Sequence, residues 1–257
     1  MVSGIIGFSG FVGSNLCSQR EFNYFYNSRN ISEIRGMRFD ELVITGVPAV
    51  KWLANKEPEA DLLNIKKLIG ELKEVEASRV ILISTVDVYP NPVFVNESTL
   101  INIHCCQPYG KHRLFFENFV QDFFPNVHVL RLPGLFGHGL KKNIIFDFLN
   151  NNRIDLIDSR NSFQFYCLDS LSNDIEIAKS NNIRLLNVSV EPLSVKDVAK
   201  CCGFDDFDNK LDGPLIEYDF KSIHYSCWVG GKSGYLYSKE HCLNALSNFV
   251  EGVDKDV

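Results

Sequence analysis

The 257-residue sequence contains no apolar run long enough to cross a bilayer, no C-x-x-C pair, no internal repeat and no low-complexity tract. The first absence excludes a helix spanning the hydrocarbon core, which takes about 20 consecutive apolar residues. Positive charge is also short: 26 Lys and Arg against 32 Asp and Glu leave a net charge of −6. A general nucleic-acid binder is thereby disfavoured, because neutralising phosphates needs a basic surface. The eight cysteines, at positions 17, 105, 106, 167, 201, 202, 227 and 242, include two adjacent pairs. Adjacent cysteines rarely bond each other and no cluster has zinc-ligand spacing, so reduced thiols and no metal are expected. The chain opens on an apolar segment without the charged-then-apolar layout of a secretory signal, and a cytoplasmic protein is expected. What is left is an ordinary globular composition, 45% apolar and 23% charged, long enough to bury a full core.

Against that background one stretch stands out. Gly7-Phe8-Ser9-Gly10-Phe11-Val12-Gly13 follows the apolar run Val2 to Ile6, with its glycines three residues apart. A strand that ends in such a turn and opens into a helix brings its backbone against a pyrophosphate. Gly7 permits the tight turn, Gly10 removes a side chain where phosphates approach, and Gly13 lets the helix pack closely on the sheet. Ser9, Phe11 and Val12 supply the neighbouring backbone. A tight strand-to-helix turn without ligand is the other reading of three glycines.

Apolar runs and helical patterns alternate through the first two-thirds of the chain. Strands are expected at 2–6, 23–26, 41–45, 80–84 and 127–130, and helices at 12–18, 58–75 and 109–123. In the middle helix Leu62, Ile65, Leu68, Ile69 and Leu72 share one face, with lysines and glutamates opposite. Such alternation implies a parallel sheet covered on both faces, with ligands beyond the carboxyl ends of its strands. Only Asn27 to Asp40 separate the second and third strands, so the fold must be abbreviated there. Further on, helices are expected at 143–149, 170–179, 195–202 and from Ser238 to about 249, and strands at 154–157, 163–168 and 185–188. Ser194, three residues before Asp197, offers a cap for one of these helices. The stretch 204–214 reads as a loop.

Two segments look chemical. Ile81-Leu82-Ile83-Ser84-Thr85-Val86-Asp87-Val88-Tyr89-Pro90 is a buried strand ending in hydroxyls, and Pro108-Tyr109-Gly110-Lys111-His112-Arg113 opens an amphipathic helix. With the glycine turn, Asn64 and Arg131-Leu132-Pro133-Gly134-Leu135-Phe136-Gly137, they make the chain resemble the extended or atypical short-chain dehydrogenase/reductases, especially the nucleotide-sugar epimerase/dehydratase branch. The resemblance covers roughly residues 2 to 200. It implies an α/β fold, a Rossmann-type doubly wound parallel sheet, as a single domain over 1–257 with a small substrate-binding lobe from about 138–170 and 203–240.

The resemblance also implies roles. Its catalytic set is a Ser or Thr, a Tyr and a Lys four residues after the Tyr, which match Thr85, Tyr109 and, in place of lysine, Arg113. A phenol of pKa near 10 is a poor base at neutral pH unless adjacent positive charge stabilises its phenolate. Arginine keeps the charge, but its planar fork differs from a flexible ammonium. Cofactor contacts are implied at Gly7, Ser9, Gly10, Phe11, Val12, Gly13, Ser28, Arg29, Asn64, Ser84 and Arg113. Ser28 and Arg29, with no carboxylate beside them, favour NADP, with NAD as the alternative. Substrate contacts fall on Asp87, His138 and Asn143. Val86 stands where the family's dehydratases carry an acid, which disfavours dehydration. Phe163-Gln164-Phe165 replaces an arginine-containing segment that grips nucleotide phosphates, leaving Lys141, Lys142 or Arg160 for that task. The expected activity is NAD(P)-dependent oxidation, reduction or epimerisation at a hydroxyl or keto group of a nucleotide-linked sugar. The expected partners are that small molecule and a second copy of the chain, paired through the helices at 58–75 and 109–123. The alternative is a catalytically weakened, cofactor-binding regulatory or scaffold protein.

Overall fold

The computed structural model describes residues 1–253, which fall into two compact units. The first comprises 1–91, 99–132 and 169–187, and the second 92–98, 133–168 and 188 onwards.

A six-stranded parallel sheet forms the centre of the first unit. Its strands are β1 (Ser3–Ile6), β2 (Tyr24–Tyr26), β3 (Glu41–Ile44), β4 (Val80–Thr85), β5 (Val127–Leu132) and β6 (Leu185–Asn187). In space they run β6-β5-β4-β3-β1-β2, so the order reverses at β1. Ile5 lies beside Val43, and Ile81 beside His128. Ile5, Leu42, Val43, Ile44, Val80, Ile81 and Val129 are wholly buried, which is why these segments are apolar runs and not alternating patterns. The helices are α1 (Phe11–Gln19), α2 (Lys51–Lys56), α3 (Pro58–Leu72), α4 (Pro108–Phe123) and α5 (Leu171–Ser180). The arrangement is the Rossmann type, with a switch point at the carboxyl end of β1.

The expected strands and helices of this unit are present with small shifts at their ends. Helix α3 begins with Pro58 at its first position and acidic residues in its first turn, and it buries Ile65, Ile69 and Leu72. It stops at Leu72, because Val75 turns into the core ahead of the pair Arg38–Phe39 and Glu76–Ala77. Between β2 and β3 the chain makes a single 3-10 turn, Ile31–Ile34, with Ile34 fully buried, as the short spacing requires. Helix α2 has no counterpart in the sequence reading. Six residues are too few for a 3.6-residue period to show.

In the second unit Gly134–Phe136 pairs in parallel with Phe165–Cys167, and Ser162–Phe163 pairs antiparallel with Leu193–Ser194. The strand expected at 163–168 is broken at Gln164, whose side chain leaves the ladder to bond the carbonyls of Val190 and Phe220 and the amide of Phe220. The strand expected at 154–157 is instead a 3-10 turn, Ile154–Leu156, with Leu156 61% exposed. Among the described residues no strand pairs with it. Helix Val195–Cys201 starts from Ser194 with a full capping box to Asp197, and the last helix spans Lys239–Val253. Residues 204–214 carry neither helix nor strand. All eight cysteines are free, and burial pushes the Cys202 and Cys242 thiols up to about 12. No helix among the described residues is long and apolar enough to cross a membrane.

Candidate active site

The three glycines of the first turn are not equivalent. Gly7 has φ +89°, its amide donates to the Tyr26 carbonyl at 2.7 Å, and a Cβ there would lie 2.7 Å from the Gly46 nitrogen. A Cβ on Gly13 would lie 2.1 Å from the Gly7 carbonyl oxygen. Both are demanded by the fold itself. Gly10 differs: it is exposed, its φ is −83°, and an added Cβ would meet only the Gly7 oxygen at 3.3 Å. Neither backbone conformation nor protein packing explains glycine there, whereas close approach of a ligand would.

Gly10 is also the N-cap of α1, which has no side-chain cap and no acid in its first turn. The first helical bond runs from the Ser14 amide to the Gly10 carbonyl, so the amides of Phe11, Val12 and Gly13 have no acceptor within the helix. They form the positive end of the macrodipole and suit an anion such as a pyrophosphate. The residues present therefore fit a dinucleotide. At the end of β2 the turn holds itself: Asn27 accepts from the Arg29 amide, and Asn30 accepts from the Asn27 amide. Ser28 and Arg29 stand exposed at its tip. The Asn27 side chain reaches Ser9 at 3.5 Å, tying this turn to the glycine turn.

A second cluster gathers at the carboxyl end of β4. Thr85 ends that strand and accepts a hydrogen bond from the Asp87 amide at 3.2 Å, closing the turn Val86–Val88. Helix α4 sits directly on this turn, because a Cβ on Gly110 would lie 1.9 Å from the Asp87 carbonyl oxygen. Glycine after Tyr109 is what lets the helix start so close to the strand end. Tyr109 is thereby brought close to Thr85, and only 6% of it is exposed. The Tyr109 amide donates to the Asn55 side chain of α2 at 2.9 Å. Burial pushes the phenol above its ordinary value. The Arg113 charge draws it back, Asp87 adds to the rise, and Lys51 and the Thr85 hydroxyl oppose it. The balance leaves a protonated phenol at neutral pH.

Arg113 is committed elsewhere than the family comparison implies. Its two terminal nitrogens bond Asp61 at 2.7 and 3.0 Å, and one also bonds the Pro48 carbonyl at 2.5 Å. Its Cζ lies 4.3 Å from the centroid of the Tyr109 ring, a cation–π contact. His112 Nδ1 lies 2.8 Å from the same carboxylate. Burial alone would raise the Asp61 carboxyl, but the hydrogen bonds from Arg113 and His112 outweigh it and hold it low. Asp61 escaped the sequence reading, since an acid in a helix's first turn reads as a partner of the macrodipole. Lys51 escaped it too; its Nζ lies 2.8 Å from Asp87 Oδ1.

Ser84 points away from Thr85. Its hydroxyl donates to Glu117 of α4, which also takes Arg131 at 2.6 Å. Arg131 in turn donates to the Tyr89 hydroxyl at 2.9 Å, and Asn187 donates to the same oxygen at 3.1 Å. This buried network stiffens β4, β5 and α4 beneath the Thr85–Tyr109 pair. Asn64 is exposed on α3. In the second unit Asn143 has φ +105°, caps the helix Ile144–Leu149 with its oxygen and donates to the Leu135 carbonyl, a strained conformation held by three hydrogen bonds. His138 is exposed, and Arg160 is engaged by Asp158 and the Leu211 carbonyl. Among the described residues no three His, Cys, Asp or Glu side chains gather as metal ligands would.

No family model matches the chain, and no curated protein matches it. Solved structures do. UDP-glucose 4-epimerase from Thermotoga maritima, solved with UDP-glucose, shares the fold at TM-score 0.75 with 14% identity, over 100% of this chain and 99% of that one. MoeE5, solved with UDP-glucose and NAD, matches at TM-score 0.73 with 15% identity, over 100% and 99%. A dTDP-4-dehydrorhamnose reductase from Clostridium acetobutylicum matches at 0.68 with 13% identity, over 99% and 100%. The structural neighbours thus include UDP-sugar epimerases and a dTDP-sugar reductase, and the fold is the one the motifs implied.

Proposed function

We propose that this chain is an NAD(P)-dependent oxidoreductase or epimerase acting on a hydroxyl or keto group of a nucleotide-linked sugar. The observation that carries the reading is the buried Tyr109 phenol beside Thr85 at the end of β4, in a sheet whose first turn keeps a glycine, Gly10, that the fold does not need. A bound nicotinamide nucleotide would supply the hydride exchange. The chain's own residues handle the oxygen. Thr85 holds it, and Tyr109 donates the proton as a carbonyl becomes a hydroxyl, or takes it back in the other direction. Arg113 lies fixed over the Tyr109 ring and favours the phenolate. Gly7, Ser9, Gly10, Phe11, Val12 and Gly13 would hold the pyrophosphate of such a nucleotide, and Ser28 and Arg29 favour NADP over NAD. Asp87 faces substrate hydroxyls. The neighbours solved with UDP-sugars and NAD support the substrate class and the nicotinamide. The free thiols suit a cytoplasmic setting. Leu63 on α3 and Phe115 and Phe123 on α4 stand exposed and suit a homodimer contact, which light scattering tests.

A thermal-shift titration with NAD, NADH, NADP and NADPH tests the first half of this reading, because preferential binding to the folded state raises Tm. NADP and NADPH should give the larger shifts. UDP-glucose and related sugar nucleotides are then screened for oxidation or reduction of the nicotinamide, followed at 340 nm. Unchanged turnover in Tyr109→Phe would sink the catalytic assignment. One observation favours the regulatory alternative: Asp61 and Pro48 already occupy the terminal nitrogens of the arginine that replaces the family's lysine. A cofactor shift with neither redox change of the nicotinamide nor conversion of any sugar nucleotide to its epimer would support that alternative.

A further inference from the structure

The following rests on the reading of Tyr109 and Thr85 as the reacting pair. A single lysine four residues after the tyrosine would combine two properties, a permanent positive charge near the phenol and a flexible ammonium able to bond ligand hydroxyls. Arg113 has only the first. Its side chain is 7% exposed, it lies over the face of the ring, and Asp61 and Pro48 hold its terminal nitrogens. We propose that the second task has moved to Lys51, which supplies the flexible ammonium of the site from α2, with Asp87 as its resting partner.

Geometry places Lys51 for this. Lys51 and Asn55 are one helical turn apart on α2 and so share a side of it. Asn55 is bonded to the backbone amide of Tyr109, which turns that side of α2 toward the start of α4. The Lys51 ammonium lies 2.8 Å from Asp87, whose backbone amide bonds Thr85 and whose carbonyl the start of α4 is packed against. Lys51 is 47% exposed and Asp87 20%, so the pair is open to solvent and can exchange partners, unlike the Arg113–Asp61 pair. The charged and titratable groups around the phenol are then Lys51 from α2, Asp87 from the β4 turn, Asp61 from α3, and Arg113 and His112 from α4. Of the two cations, Lys51 is the one on a long, solvent-reaching stem, which can turn from its carboxylate to a ligand's vicinal hydroxyls.

Two measurements that need no turnover test the proposal. Fluorotyrosine-labelled protein is titrated by 19F NMR, with the Tyr109 resonance assigned by its loss in Tyr109→Phe. Lys51→Met should move the phenol midpoint up by roughly half a unit or more, and Asp87→Asn should move it down. Lys51→Arg should restore part of the shift. NADPH binding, followed by its fluorescence, should weaken about tenfold in Lys51→Met, the scale of one lost hydrogen bond to a charged group, with Tm in the absence of ligand moved by no more than about 4 °C. An unmoved midpoint together with wild-type NADPH affinity in Lys51→Met overturns the proposal while leaving the oxidoreductase reading intact. A wild-type chain that binds none of the four dinucleotides overturns both. Shifted midpoints and weakened binding without sugar-nucleotide turnover uphold the role of Lys51 and overturn only the enzyme reading.

Discussion

Two ion pairs flank Tyr109, and they are built differently. Arg113–Asp61 is buried, bidentate and reinforced by His112 and the Pro48 carbonyl. Lys51–Asp87 lies nearer the surface, its side chains 47% and 20% exposed. Breaking a buried pair by removing one partner leaves an uncompensated charge away from water, whereas an exposed pair trades one hydrated state for another. The first pair is therefore architecture: it fixes α3 against α4 and holds a charge over the ring. The second is adjustable, and adjustability is what a site needs where a ligand arrives and leaves.

The sharpest way to break the contrast is to remove Asp61. Asp61→Ala strands both Arg113 and His112 and should destabilise the fold by about 3–5 kcal/mol in urea unfolding. A loss below ~1 kcal/mol would mean that the pair is not structural. Gly110→Ala comes next, because its Cβ meets the Asp87 carbonyl at 1.9 Å and α4 must lift from the β4 turn. A loss of about 1–3 kcal/mol is expected, with both pairs disturbed at once.

Acidification separates the groups by pH. His128 is buried beside the Ile183 carbonyl, and desolvation lowers its pKa. Its contribution is complete above the ordinary histidine value of ~6.5 and is lost as pH falls toward the lower folded value. Asp61 is also depressed, so its contribution is complete above ~3.9 and fades only at lower pH. Stability should therefore fall in two stages, and His128→Asn should remove the earlier one. Loss of the later stage in that variant would contradict the assignment. Lys51→Met should alter unfolding by ~1 kcal/mol or less. Gly10→Ala sits at the small end for stability, yet it should weaken dinucleotide binding markedly if the turn holds phosphates. Equal binding by Gly10→Ala and the parent protein would count against the pyrophosphate reading.

Much of the sheet was legible because its strands, the largely exposed edge strand β2 apart, are buried apolar runs followed by a turn signal. The pair Ser194–Asp197 was legible for a related reason, since a cap imposes a residue type locally. Helix α2 was not, and with it went Lys51 and Asn55. Six residues with Trp52 and Leu53 exposed carry no period to read. The strand expected at 154–157 failed in the opposite sense, because a ladder needs a neighbouring strand and a short apolar run cannot supply one.

Residue order alone determined the Rossmann-type sheet and the glycine turn, since local periodicity and glycine geometry act within a few residues, while the family resemblance made Thr85 and Tyr109 candidates. Only the folded chain decided which groups surround Tyr109. Asp61 lies 52 positions from Arg113 along the chain, and Lys51 lies 36 from Asp87. Such pairings arise from how helices seat on a sheet, and charge meets charge there across distances that no short sequence window spans.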